Sequence, residues 1–225
     1  MYYSNGEYFE LTFKQKLSYF FISLVIISLG NGLSIAAAMG AAPWSASAVN
    51  LANVTHLPTM LFLAIEAILA AVVNLFLVEH INWQRTCGNV IFGLLFSLFV
   101  AEFANLFRPL FVGLATIPKV VIDLFGIWCI GIGISVIQRA NFVLHPLDNL
   151  TNVARFKFFH GSAPLGQLSN FVIAVSISLV CWAMSGQLLS YGIGTAYCFF
   201  LQGNNIAWGD RHLFKHLLHI DPTKI

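Results

Sequence analysis

Charge is scarce in this chain: 9% of its 225 residues are Asp, Glu, Lys or Arg, against about 25% in an ordinary soluble domain. With 58% hydrophobic residues and a mean hydropathy of +0.81, that shortage excludes a soluble globular fold. The net charge of +2 says little about partners, and no nucleic acid is expected among them. Cysteine is sparse too. Cys87, Cys129, Cys181 and Cys198 fall in or beside apolar runs at no metal-site spacing, so they read as small buried residues and not as a disulfide framework. There is no Walker A loop, no paired-cysteine zinc pattern and no G-x-S-x-G, so neither an enzyme nor a cofactor or resident metal is expected. Short alternating segments separated by turns, the mark of a membrane barrel, are also missing.

What is present is a series of continuous apolar runs of about twenty residues, each the length that crosses about 30 Å of hydrocarbon as a helix. The expected fold is an all-α polytopic membrane protein with spans at about 16–38, 58–78, 86–107, 118–138, 163–184 and 187–206. A polar tail follows from Gly209 to Ile225. Tyr2, Tyr3, Tyr8, Phe9 and Phe13 among Glu7, Glu10 and Lys14 suit a segment at the headgroup level. The first run is too long for a cleaved signal peptide. With cytoplasmic termini, nine of the eleven basic residues lie inside, leaving only Arg108 and Lys119 outside, which the positive-inside rule favours. An eight-span layout scores the same; segment length favours six. The lipid bilayer of the cell membrane is the expected location, with a homodimer or a partner subunit as a further possibility.

Between the first and second full spans lies Met39 to Leu57, uncharged and broken by Pro43. From Pro43 to the next proline it reaches only about 20 Å as a helix, too short to cross. A Gly- and Pro-interrupted short segment is the pattern of a broken helix lining a cavity. The second half repeats the layout: Pro146 follows Pro43 by 103 residues and Gly192 follows Gly88 by 104. Three full spans per half turn the second copy upside down, giving two inverted repeats, about 16–107 and 118–206, each with a broken or re-entrant segment.

The run from Gly32 to Leu51, centred on Gly40, Ala41, Ala42, Pro43 and Trp44, resembles the first repeat of the YczE/YyaS/YitT family of bacterial integral membrane proteins. Ser45 stands where that family typically has an acid. Pro146, Leu147, Asp148 and Asn149 resemble the corresponding motif of the second half, with His145 in place of the usual small neighbour. The resemblance implies a multi-pass bacterial membrane protein and carries over no activity.

Glu66 is the most informative single residue, because it sits deep in its span with no Lys or Arg at that depth to pair with it. Ala70 and Asn74 share its helix face. An offset of 104 matches the three to Asn170, Ala174 and Ser178, with Gln167 one turn earlier. A plainer role for these residues is helix joining by hydrogen bonds. Asp148 and Asn149, with His145 and Asn152, are expected on the inner side of a cavity, and Pro43 and Trp44 on its outer side. Glu102 and Asp123 read as surface partners of nearby Arg108 and Lys119. His212, His216 and His219 fall on one face of a predicted tail helix, along the polar edge of an amphipathic surface helix.

These features favour a small-molecule secondary transporter or permease, with Glu66 as a proton- or cation-coupling residue. The alternatives are the substrate-binding subunit of an ATP-driven transporter and a non-transporting accessory membrane protein. The substrate, a small molecule or an ion, has no signature in the sequence.

Overall fold

The computed structural model describes residues 2–4, 7–77 and 82–219. Two short antiparallel strands, β1 (Tyr2–Ser4) and β2 (Glu7–Phe9), precede eight helices. These are α1 (Phe13–Ala37), α2 (Pro43–Thr55), α3 (Thr59–Leu77), α4 (Trp83–Phe111), α5 (Thr116–Ala140), α6 (Pro146–Lys157), α7 (Ala163–Ser185) and α8 (Ile193–His212). The chain is therefore an all-helical membrane protein: α1, α3, α4, α5 and α7 are each long and apolar enough to cross a bilayer. The sixth expected span is α8, which has 20 residues but carries Gln202, Asn204 and Asn205 at its middle. It starts about six residues later than the apolar run, because the residues after Gly186 form a loop clamped to α2. Asn50 of α2 donates to Leu189 O (2.8 Å) and accepts from Leu189 N (2.9 Å).

The helix boundaries follow local chemistry. Thr12 and Gln15 form a capping box at the start of α1, which satisfies two of the amide groups that a helix start leaves open. Pro43, Pro146 and Pro164 each sit in a first turn, where a proline costs no hydrogen bond. The short helices α2 and α6 are therefore started by the same residues that make their sequences look broken.

At the centre α1 packs along α5, the most extensive contact in the molecule. Small residues allow it. A Cβ on Gly126 would lie 2.6 Å from Gly30 O, so only glycine lets the two backbones approach this closely. Around this pair the contacts recur in parallel: α1 packs on α4 and α5 on α8, while α2 packs on α7 and α6 on α3. Individual residues follow the same register. Gly88 abuts Val143, and Gly192 abuts Met39, each partner moved by 104 positions in opposite directions.

Helix α3 fixes how α2 and α6 are oriented. The C-terminal end of α2 lies next in sequence to the start of α3, whereas Lys157 at the end of α6 donates to Leu77 O at the other end of α3 (2.8 Å). The two short helices thus point their N-terminal ends toward each other from opposite ends of a helix about 28 Å long. The predicted tail helix does not form within the described residues: α8 ends at His212 and 213–219 fold back, while 220–225 lie outside them.

Candidate functional site

The facing ends of α2 and α6 meet at one internal cavity of about 70 Å³. Ala42, Trp44 and Ser45 line it from one short helix, and His145, Leu147 and Asp148 from the other. Helix N-termini present unpaired amides and the positive end of the helix dipole. The start of α2 has no side-chain cap, and at α6 the His145 Nδ1 accepts from Leu147 N at 3.3 Å. Asn31, Gln167 and Asn170 add amide side chains from α1 and α7. All three are buried, and neither Gln167 Oε1 nor Asn170 Oδ1 has a hydrogen-bond partner among the described residues. A buried polar atom without a partner costs about 1–3 kcal/mol, and two such atoms belong to residues that line this one cavity.

Two larger spaces border this cavity. A vestibule of about 460 Å³ lies beyond Ser45 and Leu63, which line both spaces, and it contains Ser34, Arg108 and Tyr191. On the opposite side of Trp44 and Asn170 runs an apolar groove of about 450 Å³ between α3, α6 and α7. Trp44 and Asn170 line both the cavity and the groove.

Glu66 faces the groove, not the central cavity. It is 5% exposed, and its Oε1 accepts a hydrogen bond from Ser47 of α2 at 2.6 Å, while Oε2 has no partner among the described residues. Its counterpart Asn170 donates to Thr151 of α6, also at 2.6 Å. Both pairs span 19 residues, and they are 104 residues apart.

Not every residue singled out in the sequence lies at these spaces. Asn74 straps α3 to the start of α6 by donating to Pro146 O (2.9 Å). Ser178 is buried and bonds back to Ala174 O. Asn149 accepts from Arg85 at 3.5 Å, away from the cavity, and Asn152 is fully buried without lining any of the three spaces. Pro43 acts by starting α2. Asp148 does line the cavity.

Asp123 corrects the sequence reading. It forms no surface pair with Lys119; it is fully buried in α5, and the Ser34 hydroxyl donates to its Oδ1. Oδ2 has no partner among the described residues. The reading went astray because a lysine one turn earlier made the aspartate look interfacial, whereas α5 begins at Thr116 and carries it deeper. Glu102 is exposed and pairs with nothing among the described residues, where all ion pairs gather at Asp210.

That gathering closes the other end of α5 and α8. Asp210 receives Ser135 Oγ (2.7 Å), Arg155 Nη2 (3.0 Å) and His219 Nε2 (3.0 Å), with Arg139 Nε at 3.5 Å. Arg139, 1% exposed, also donates to Gly209 O (3.2 Å) and Leu213 O (2.7 Å). The three tail histidines accordingly separate: His219 joins Asp210, His216 meets the Tyr19 hydroxyl at 3.0 Å, and His212 stacks on Trp208. Burial holds His219 below the ordinary imidazole value of 6.5, outweighing the pull of Asp210, and the neighbouring Arg155 and Arg139 act in the same direction as burial.

Residues 14–211 match the family described as a family of unknown function (DUF6198), and the chain belongs to it. No curated protein and no solved structure matches the chain.

Proposed function

We propose that the chain is a small-molecule permease of the cell membrane, with six crossings arranged as two inverted three-span repeats and α8 as the sixth. The observation that carries this reading is the convergence of the α2 and α6 N-termini on one amide-lined cavity. Discontinuous helices meeting at mid-depth are the arrangement by which transporters hold a solute at the interface of two repeats. Support for the repeat comes from the parallel contacts of the two halves and from the matched pairs Ser47–Glu66 and Thr151–Asn170. The vestibule of Ser34 and Arg108 is the open approach, and the Asp210 network is the closed one. Both termini then lie on the closed, cytoplasmic side. Glu66, the acid bonded to α2, couples movement of that half-helix to binding of a proton or a cation.

Accessibility tests this reading without a known substrate. Ser97 lines the central cavity, and Ser97→Cys, in a protein whose four native cysteines are replaced by serine or alanine, changes little but the reactive group. In proteoliposomes, a membrane-impermeant thiol reagent is expected to modify it when applied from either face. Modification from one face only, or from neither, would overturn alternating access. A Glu66→Gln protein should still show two-sided labelling but lose gradient-driven uptake of whatever solute a flux screen identifies.

A further inference from the structure

The groove between α3, α6 and α7 specifies the chemistry of its occupant more closely than the central cavity does. Its volume, about 450 Å³, falls within the range of sites for small organic ligands. Leu69, Val73 and Ile173 form its mouth and are 59%, 44% and 50% exposed, so in a bilayer it opens sideways toward lipid. Its inner end is different. Trp44, Glu66 and Asn170 line it there, and Trp44 Nε1, Glu66 Oε2 and Asn170 Oδ1 are buried without partners among the described residues. Among the described residues, Glu66 is the one ionisable side chain lining the groove. The combination is an apolar channel lined at its buried end by a carboxyl and an amide side chain.

We propose that this groove binds a lipophilic organic amine, its ammonium donating to Glu66 Oε2 and Asn170 Oδ1 and its hydrocarbon body lying between α3 and α7. Charge complementarity selects the class: an anion would meet Glu66 with no cation among the described lining residues to offset it, and a neutral hydrocarbon would leave both acceptors unsatisfied. The tethered amine of a phospholipid is excluded by depth. Glu66 is the eighth residue of the 19-residue α3, about 10 Å from the start of the helix, and a phosphate cannot follow its amine to that level. The permease reading gives this site its purpose, since Trp44 and Asn170 separate the groove from the central cavity. A membrane-dissolved amine would enter sideways and pass between them.

The test uses the full chain in nanodiscs of phosphatidylcholine, with empty nanodiscs subtracted, and 4-phenylbutylamine as the probe in titration calorimetry. Saturable binding of one amine per chain is expected, with 4-phenylbutanol and 4-phenylbutanoate binding at least about tenfold more weakly, the discrimination expected of a charge-assisted pair. Glu66→Gln should weaken the amine by a similar factor. Val73→Phe, which narrows the groove at a lipid-exposed position and leaves the core untouched, should weaken it as well, and a single symmetric peak on size exclusion shows that both variants are folded. Equal binding of amine and alcohol, or an unchanged affinity in Glu66→Gln, overturns the proposal. So does a loss of binding in Gln167→Leu with none in Val73→Phe, because that pattern puts the amine in the central cavity. The permease reading fails on a separate result, one-sided labelling of Ser97→Cys, which amine binding does not affect.

Discussion

Ser47 with Glu66 and Thr151 with Asn170 occupy the same positions in the two halves, each joining a short helix to the span that follows it. Each hydroxyl donates to a carbonyl of its own short helix, Ser47 to Trp44 O (2.8 Å) and Thr151 to Leu147 O (3.1 Å), but the group it meets on the following span is a carboxyl in the first half and an amide in the second. Positions matched in sequence spacing therefore carry different chemistry, and the two ends of the molecule differ as well. The end near Ser34 and Arg108 is an open vestibule, while the end near Asp210 is tied shut by two arginines and a histidine.

The contrast between the ends breaks most forcefully at Asp210. Asp210→Leu leaves Arg139 buried without its carboxylate, and removing one partner of a buried pair costs about 3–5 kcal/mol. Thermal unfolding in detergent should register this as a large fall in midpoint. Arg108→Leu at the open end, where the arginine is exposed, should stay within about 0.5 kcal/mol. Equal effects at the two ends would remove the distinction between a locked and an open face.

A smaller effect separates the halves at their matched glycines. A Cβ on Gly192 would collide with the Met39 backbone, which has little freedom to yield. On Gly88 it would come within 2.9 Å of Val143 Cγ2, the end of a side chain. Gly192→Ala should therefore cost about 1–3 kcal/mol as overpacking. Gly88→Ala, inside α4, should be close to neutral, because the helix gains up to about 1 kcal/mol when glycine becomes alanine.

Most of the helical frame was legible because bilayer thickness imposes a length on every crossing and proline marks the short helices. The runs near 58–78, 86–107 and 163–184 match α3, α4 and α7 closely. Segments whose limits depend on tertiary contact were not legible. The start of α8 is set by the Asn50 clamp on Leu189, and the tail is turned back by Arg139 and Asp210, neither of which has a local signature. At the site, Glu66 was visible as an acid with no basic residue at its depth. Asp123 was masked by Lys119, and Arg139 and Arg155, both buried, lie between the expected spans 118–138 and 163–184. Sequence distance conceals such partners: Arg155 and Asp210 are 55 residues apart.

The matched polar pairs differ by less again. Ser47→Ala strips Glu66 of its one hydrogen-bond partner among the described residues, whereas Thr151→Val leaves Asn170 Nδ2 still donating to Leu147 O at 3.2 Å. A typical hydrogen bond contributes about 1 kcal/mol net, and more when one member is charged. Ser47→Ala should accordingly destabilise more than Thr151→Val in the same unfolding assay. The opposite ranking would make the second half, not the first, the one whose polar pair holds its short helix.

The smallest effect concerns pH and the locked end. His219 lies beyond α8, and burial holds its pKa below 6.5 against the pull of Asp210. In the unfolded chain the same imidazole titrates near 6.5. Over the interval between the folded and unfolded values the unfolded state binds more protons, so stability rises with pH there. The contribution is fully present above the unfolded value and is lost as pH falls toward the folded one. Melting midpoints should therefore decline as pH falls below about 6.5 toward the lower, folded-state value. Other histidines and the carboxylates titrate as well, so the diagnostic quantity is the difference from His219→Gln, whose side chain can still donate to Asp210 but does not titrate. The variant should show the shallower decline. A steeper decline in the variant would mean that Asp210 prevails over burial and that His219 is charged in the folded protein, making the lock a closed ion pair strengthened by acid.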